Sequence, residues 1–546
     1  MMRILGGLVG VVLWAMERIA RLIRALAFAI LFGAVLGGLI WFGSDLFGNW
    51  LGFAKHGVAR LILHVFACAM GVSSAWAMLG DKLRSSATTS LTSHGSARFA
   101  SAAERALLTA RPGGLLIGRD LRSGKILRYD GPGHLLTIAP TRTGKGVGTV
   151  IPNLLLAGRS VICVDPKGEN TAITAHARSR LGPVHVLDPF GITGQPSACF
   201  NPLAALDPAS VDLAEDAATL AEALVFDAPG EAYEAHWNEE AKALIGGLIL
   251  YLVCHESLPG RTLANLRGLL TMSPPDFANL LTMMQGSTGA GGLVARAANR
   301  HLGKADREAT GVLSAAQRHT HFLDSPRMTA ALDHSDFDFG DLKRRTATVF
   351  FVLPPDRLAT YTRWLRLMVI QSLQDLLRAP GQPVAPVLYL LDEFAALGHL
   401  APVERAMSLM AGYGVQLWPI LQDLHQLRSA YGRNAGTFFS NASVLQVFGV
   451  NDSETAQLVS GLLGQTTIVF STESRRDGTL FTSGDTSTSD HQTGRSLLTP
   501  DEVRNLPQHR ELLFIAGQRP VLANKLRYYA DSEFQQAIDQ SRIKIG

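Results

Sequence analysis

Lys145, Asp392 and Glu393 are the residues whose neighbours give them chemistry. Lys145 stands in Ala139-Pro-Thr-Arg-Thr-Gly-Lys-Gly-Val-Gly148, a small-residue turn that follows the apolar run Leu135 to Ala139. A buried strand, a glycine-bearing loop and a helix start, in that order, are the context of a phosphate-binding loop. Successive backbone N–H groups converge on phosphate oxygens there, and the positive end of the helix dipole adds to them. A lysine at this place reaches the β- and γ-phosphates. Thr141, Arg142, Thr143, Gly144, Lys145, Gly146 and Val147 are therefore the expected nucleotide-binding residues, with ATP and Mg2+ as ligands. The strict pattern G-x-x-x-x-G-K-[ST] is met only in part, because Ala139 holds its first position and Gly146 its last. A small residue still fits the first turn. Gly146 removes the hydroxyl that usually holds Mg2+. On this loop alone, a glycine-rich turn with a solvated lysine stays open as a reading.

A second stretch separates the two. Pro386-Val-Leu-Tyr-Leu-Leu-Asp-Glu-Phe394 is a near-continuous apolar run ending in two acids. It reads as a central parallel strand with carboxylates at its C-terminal end, the edge where open α/β sheets bind ligands. Asp392 there can hold Mg2+ through water, compensating in part for Gly146, and Glu393 can polarise an attacking water. The following apolar run, Val415–Leu421, ends in Gln422, placed to sense the γ-phosphate or orient water. Read without its sheet, Gln422 is a turn residue. Arg428 and Arg433 come next. Either could reach a neighbouring subunit's nucleotide as an arginine finger, or be an ordinary surface arginine. Asp165, closing the run Ser160–Asp165, is either another sheet-edge site residue or a cap for the helix after it.

Positioning these groups requires a parallel sheet. The runs at Leu135, Val161, Val184, Thr346, Val387, Val415 and Val444 alternate with helix-like segments, the rhythm of an α/β fold. It is interrupted once. From Ser210 to Ala331 strand signals all but vanish, and helices begin at Ser210, Thr262 and Ser273. The pattern predicts an all-α insertion domain over 210–331 between two parts of one nucleotide-binding domain, 85–209 and 332–546. The insertion is electrically divided. Nine acids and no Lys or Arg lie between Asp212 and Glu240, and six Lys/Arg face three acids between Arg296 and Arg327. These are solvated helix faces or, together, a partner surface. His301, His319 and His321 lack metal spacing. Residues 471–495 are Ser/Thr/Gly-rich and read as a mobile loop.

The first 84 residues read as a membrane region. Ala25–Gly43 and Leu61–Leu79 are uncharged runs long enough to nearly span a bilayer. Arg3, Arg18, Arg21 and Arg24 before them, and Lys82 and Arg84 after, place both termini in the cytoplasm by the positive-inside rule. Ile4–Met16 is a cytoplasmic or interfacial lead-in, or an extension of the first span. Cys68, Cys163, Cys199 and Cys254 have no CxxC spacing and fit a reducing compartment. A net charge of +4 on 546 residues gives no bulk argument for nucleic acid, and no basic stripe with stacking aromatics marks a single-strand groove.

Taken together, Gly95-Ser-Ala-Arg-Phe-Ala100, the loop Ala139–Gly148, Val164-Asp-Pro-Lys-Gly-Glu169, Leu391-Asp-Glu-Phe394, Gly412-Tyr-Gly-Val-Gln416, Gln422-Asp-Leu424 and Leu498-Thr-Pro-Asp-Glu-Val-Arg504 resemble the coupling proteins of type IV secretion and conjugation, the TraG/TraD group. The resemblance runs from about residue 20 to 530, and family members often carry glycine where Gly146 stands. It implies a bacterial inner-membrane, multi-pass NTPase with a RecA-like motor domain, related to FtsK and HerA, whose all-α insertion recognises substrate. It implies a homo-oligomer, a hexamer around a channel, that brings a relaxase–DNA complex, single-stranded DNA or effector proteins to the secretion channel proteins. Thr143 to Gly146 would hold nucleotide, Asp392 Mg2+, and Glu393 would activate water while Gln422 couples nucleotide state to motion. Two other readings stand beside it. Gly146 keeps alive a membrane receptor with a degenerate site. A double-stranded DNA pump would need a C-terminal DNA-reading domain, and few residues follow Tyr529.

Overall fold

The computed structural model describes residues 93–225, 234–475 and 486–542, with five isolated positions before them. Apart from the isolated positions Gly38, Phe42 and Val65, both expected membrane runs lie outside the described residues, as does Ile4–Met16. Among those described, no helix is long and apolar enough to cross a membrane.

Thirteen strands are described: β1 (Leu115–Asp120), β2 (Ile126–Tyr129), β3 (His134–Ile138), β4 (Val161–Asp165), β5 (Val184–Leu187), β6 (Thr348–Val352), β7 (Val387–Leu391), β8 (Val415–Leu421), β9 (Ala442–Val447), β10 (Gln465–Arg475), β11 (Thr486–Ser496), β12 (Arg510–Ile515) and β13 (Val521–Asn524). Eleven form one sheet in the order β2-β1-β13-β12-β9-β3-β8-β7-β4-β6-β5. From β9 to β5 every pairing is parallel, and the wing β2-β1-β13-β12 joins β9 through antiparallel pairings. β3, β4, β6, β7 and β8 are buried along their whole length, the near-continuous apolar pattern of strands covered on both faces. β8 lies between β3 and β7, which sets the three strands that carry Lys145, Gln422 and Asp392 side by side.

The sheet faces are covered by α1 (Ile151–Leu156), α2 (Glu169–Ser179) and other helices. Among the described residues between β5 and β6 every regular element is helical: α3 (Leu213–Leu224), α4 (Ala235–His255), α5 (Leu263–Leu270), α6 (Pro274–Gln285), α7 (Gly289–Leu302) and α8 (Asp306–Thr320) are the main pieces of this insertion. Thr262 and Ser273 cap α5 and α6 as expected, accepting from the amides of Asn265 and Asp276. The third expected start shifts. Ser210 accepts from the amide of Asp212 in a turn, and α3 begins at Leu213.

The insertion shares its core with the sheet. One buried cluster runs from Ile138 and Val349 through Trp364 and Leu367 of the helix α9 (Pro355–Arg378) to Leu220, Leu248 and Ile249. Gly95–Thr466 and the residues from Gly494 onward accordingly form one compact unit. The remaining described feature is a correction. β10 and β11 pair as a two-stranded sheet, so residues 471–475 and 486–495 lie on strands where a mobile loop was expected; 476–485 are outside the described residues. Thr, Ile, Val and Phe in Gln465-Thr-Thr-Ile-Val-Phe470 and the Ser/Thr alternation of β11 favour extended backbone, and composition alone hid this.

Candidate nucleotide site

The phosphate loop is shaped by its backbone. Arg142 (φ 65°) and Gly144 (φ 92°) are left-handed, flanking Thr143. Alternating backbone of this kind turns successive N–H groups toward one point. For Arg142 the conformation carries a steric cost of roughly 1–2 kcal/mol, which the surrounding fold must offset. Thr143 closes the turn from within, its hydroxyl donating to the Pro140 carbonyl at 2.6 Å. After Lys145 the chain enters a wide π turn over Gly146–Val150 and tightens into α1. Single π turns concentrate at functional sites. Gly148 is required by close packing: a Cβ there would lie 3.0 Å from the Phe448 ring and 3.1 Å from the Leu526 carbonyl oxygen. Gly146 is not crowded, since a Cβ would meet only Asn170 Oδ1, at 3.7 Å.

Lys145, Asp392, Glu393 and Gln422 converge. Lys145 Nζ lies 2.8 Å from Asp392 Oδ1 and also donates to Glu393 Oε1. Gln422 Nε2 donates to Glu393 Oε2 at 3.1 Å, and its Oε1 accepts from the Thr141 hydroxyl at 3.1 Å. Gln422 thus bonds both the loop and the acid, a link the sequence reading placed at this edge without its partners. Glu393, directly after Asp392, is left-handed (φ 49°). Of three non-glycine left-handed residues among those described, Arg142 and Glu393 both serve this cluster. Such strain gathers where surroundings fix a side chain for function.

The charges do not balance: two carboxylates share one ammonium. Burial pushes Asp392 up from the ordinary carboxylate range, with Lys145 opposing. For Glu393 burial acts in the same direction, but hydrogen bonds from Lys145 and Gln422 outweigh it and hold the group low. Burial would lower Lys145; Asp392 and Glu393 overcome this and raise it. A cleft of about 430 Å³ opens on Glu393, lined in part by His399, His425 and Gln426.

Other expected residues divide. Asp165 caps: it accepts from the Thr171 amide (2.7 Å) and hydroxyl (2.8 Å) and from Asn170 Nδ2 (3.2 Å) at the start of α2. Arg428, on α10 (Leu424–Tyr431), pairs with Glu454. Arg433 lies in the turn Gly432–Asn434. Among the described residues neither bonds to the Lys145 cluster.

Residues that the sequence reading passed over support the loop from behind. Lys525 Nζ donates to the Thr143 carbonyl at 3.0 Å and the Phe448 carbonyl at 2.6 Å, over the Phe448 ring. Burial lowers it to about 8, with Glu511 opposing. Gln446 accepts from Thr137 (2.8 Å) and Thr149 (2.9 Å) and donates to Glu511 Oε2 (2.8 Å). Glu511 is fully buried, and burial pushes its carboxyl well up, toward the neutral form. The only local signal was polar residues breaking apolar strand patterns.

A phosphate loop after one parallel strand, with an acidic pair two strands away and a glutamine on the strand between, defines a P-loop NTPase of RecA-like fold. Solved structures agree. The conjugative coupling protein TrwB aligns with a TM-score of 0.61 in its complex with the ATP analogue ADPNP and 0.60 in its complex with ADP and Mg2+. Each alignment is 18% identical and covers 79% of this chain and 93% of that one. The chain belongs to the type IV secretory system conjugative DNA transfer family, whose model matches residues 91–545. Among curated relatives it is 32% identical to a conjugal transfer protein TraG of Escherichia coli, over 75% of this chain and 69% of that protein. It is 29% identical to protein VirD4 of Rhizobium radiobacter, over 74% and 58%.

Proposed function

We propose that the chain is an ATP-hydrolysing coupling protein that brings DNA, as a relaxase complex or single strand, or effector proteins to a type IV secretion channel. The observation that carries the reading is the bond set of Lys145, Glu393, Gln422 and Thr141. It links the phosphate loop to an acid positioned to accept a proton from water. The relatives' names, TraG and VirD4, and the family itself supply the transfer setting.

The residues fit ATP and Mg2+. The loop offers converging amides, and the acidic pair holds one more negative charge than Lys145 neutralises. Asp392 would hold the cation through water, and nothing crowds the cradle at Gly146. Mg2+, when bound, neutralises phosphate charge that develops during transfer. Lys145 then moves its bonds from the carboxylates to phosphate oxygens. Glu393, released from Lys145, orients and deprotonates water, and Gln422 holds Glu393 against Thr141. Each loop is thereby sensed by the other.

A homo-hexamer, with Arg428 or Arg433 supplied to the neighbouring subunit, belongs to the same proposal. So does a bacterial inner-membrane location with cytoplasmic termini, supported by the two uncharged N-terminal runs. Arg428 would first have to leave Glu454. The test is ATP turnover by the full chain with and without single-stranded DNA, alongside conjugative transfer in cells. Lys145→Ala should abolish nucleotide binding. Glu393→Gln should retain binding and lose turnover by about 10²–10⁴-fold, and both should stop transfer. Transfer that continues undiminished in Glu393→Gln would leave only a receptor.

A further inference from the structure

The insertion leaves and rejoins the sheet through two segments that run past each other. Phe200 N donates to the Ala331 carbonyl at 3.0 Å and Asp336 N to the Cys199 carbonyl at 3.1 Å. The Asn201 amide donates to Ser335 Oγ at 3.0 Å, and its side chain to the Asp333 carbonyl at 3.1 Å. At this crossing Cys199 stands on the outgoing segment, and His334 and Asp336 on the returning one. Their ligand atoms all lie within 4.8 Å of one another.

We infer that Cys199, His334 and Asp336 form a binding site for a Zn2+-class divalent cation that fastens the two crossings together. Thiolate, imidazole and carboxylate are the ligand types of zinc, and three protein ligands plus water complete a tetrahedron. His334 Nε2 lies 3.3 Å from Asp336 Oδ1. Two ligands about 2.1 Å from a tetrahedral centre stand about 3.4 Å apart, so the pair already has the spacing of one tetrahedral edge. The groups behind the ligands are also in place. The second Asp336 oxygen, Oδ2, accepts from the Cys199 amide at 2.7 Å, which fixes the carboxylate and leaves Oδ1 toward His334. Asp333 Oδ2 lies 3.6 Å from the other imidazole nitrogen, Nδ1. That is just beyond hydrogen-bond reach; drawn in on metal binding, this carboxylate would hold the tautomer whose Nε2 lone pair is free for metal, the usual outer shell of a zinc histidine. The Cys199 thiol meanwhile lies 3.3 Å from the Ala330 carbonyl, on the same returning segment. On binding, Cys199 gives up its thiol proton to solvent, and the cation gains a sulfur bond in place of one water. Three ligands from two chain segments, joined otherwise by hydrogen bonds and by Phe200 packing on Phe337 and Phe339, make the cation a further cross-link at the root of the insertion. The inference does not depend on the nucleotide reading.

The experiment is metal analysis of the untagged full chain under reductant, with Zn2+ added and excess removed, followed by Co2+ substitution. About one Zn2+ per chain should be retained. Co2+ should give tetrahedral visible bands with a thiolate charge-transfer band. Cys199→Ser should lose that band, and His334→Ala should lose metal retention. Asp333→Asn, which touches no metal, should weaken affinity by roughly 10–100-fold. Hydrogen exchange at residues 199–201 and 333–336 should slow with Zn2+ in the wild type and not in Cys199→Ser. A chain that retains no Zn2+, or one whose retention in Cys199→Ser and His334→Ala is unchanged from the wild type, overturns the assignment.

Discussion

At the scale of single residues, the site is one in which a lysine has two tasks. Lys145 is shared between Asp392 and Glu393, and in the proposed mechanism the same ammonium turns to phosphate. Gly146 is the residue that most clouded the reading, and the structure explains why its loss of a hydroxyl is tolerable. Asp392 stands two strands away, across β8, and the glycine's surroundings are open. Gly146→Ser should therefore fold normally and bind Mg2+-nucleotide as well as the wild type or a few-fold more tightly, as titration calorimetry would measure. Lys525 gives the pH dependence. Its ammonium is lowered to about 8, whereas an unfolded lysine keeps its proton to about 10.4. Between those values the unfolded chain binds more protons than the native one, so this group's contribution to stability rises with pH across the window. The stability difference between wild type and Lys525→Met should climb from pH 8 to 10. ADP affinity should fall several-fold as the wild type passes pH 8, and stay flat in Lys525→Met. Asp392, Glu393 and Gln422 were legible because they follow apolar runs, where a strand-edge position follows from local pattern. Lys525 and Gln446 were not, because their roles depend on the order β12-β9-β3, which no local spacing encodes.

At the scale of elements, the loop helix is held by its neighbours as much as by its own bonds. α1 is six residues long and ends beside Arg178 of α2, which is fully buried. The Arg178 guanidinium donates to the carbonyls of Ala157 (2.6 Å) and Arg159 and to the Thr348 hydroxyl (2.8 Å). Burial lowers its pKa to about 10, so it stays charged at neutral pH. It therefore caps the short helix and ties it to β6. Arg178→Leu would leave these acceptors unpaired, at about 1–3 kcal/mol for each group that water cannot reach. Its thermal midpoint should fall by several degrees, with nucleotide affinity following. Helix starts at Thr262 and Ser273 could be read from their caps, because a side chain bonding its own next turn is a local event. The pairing of β10 with β11 could not, because Ser/Thr composition fits loop and strand alike, and pairing decides between them.

At the scale of the whole molecule, the sequence marked where the strand rhythm stops and resumes but not how the insertion is attached. Helices could be counted from 210 to 331, whereas their packing against α9 depends on contacts far apart in the chain. Trp364 of α9 is fully buried, within the cluster that reaches Leu220 and Leu248. Removing residues 210–331 would expose a face of α9 and should yield a chain that aggregates on size-exclusion chromatography. A soluble, folded remainder would mean that the sheet holds a core of its own. The same continuity bears on whether the insertion can be exchanged between related proteins. An insertion with a private core could be exchanged between proteins at its two crossings, like a tool on a handle. Here an exchanged insertion would bring side chains shaped for another protein's α9. Chimeras cut at the crossings should misfold unless the Trp364 face travels with them, whereas changes confined to exposed helix faces should leave the fold intact.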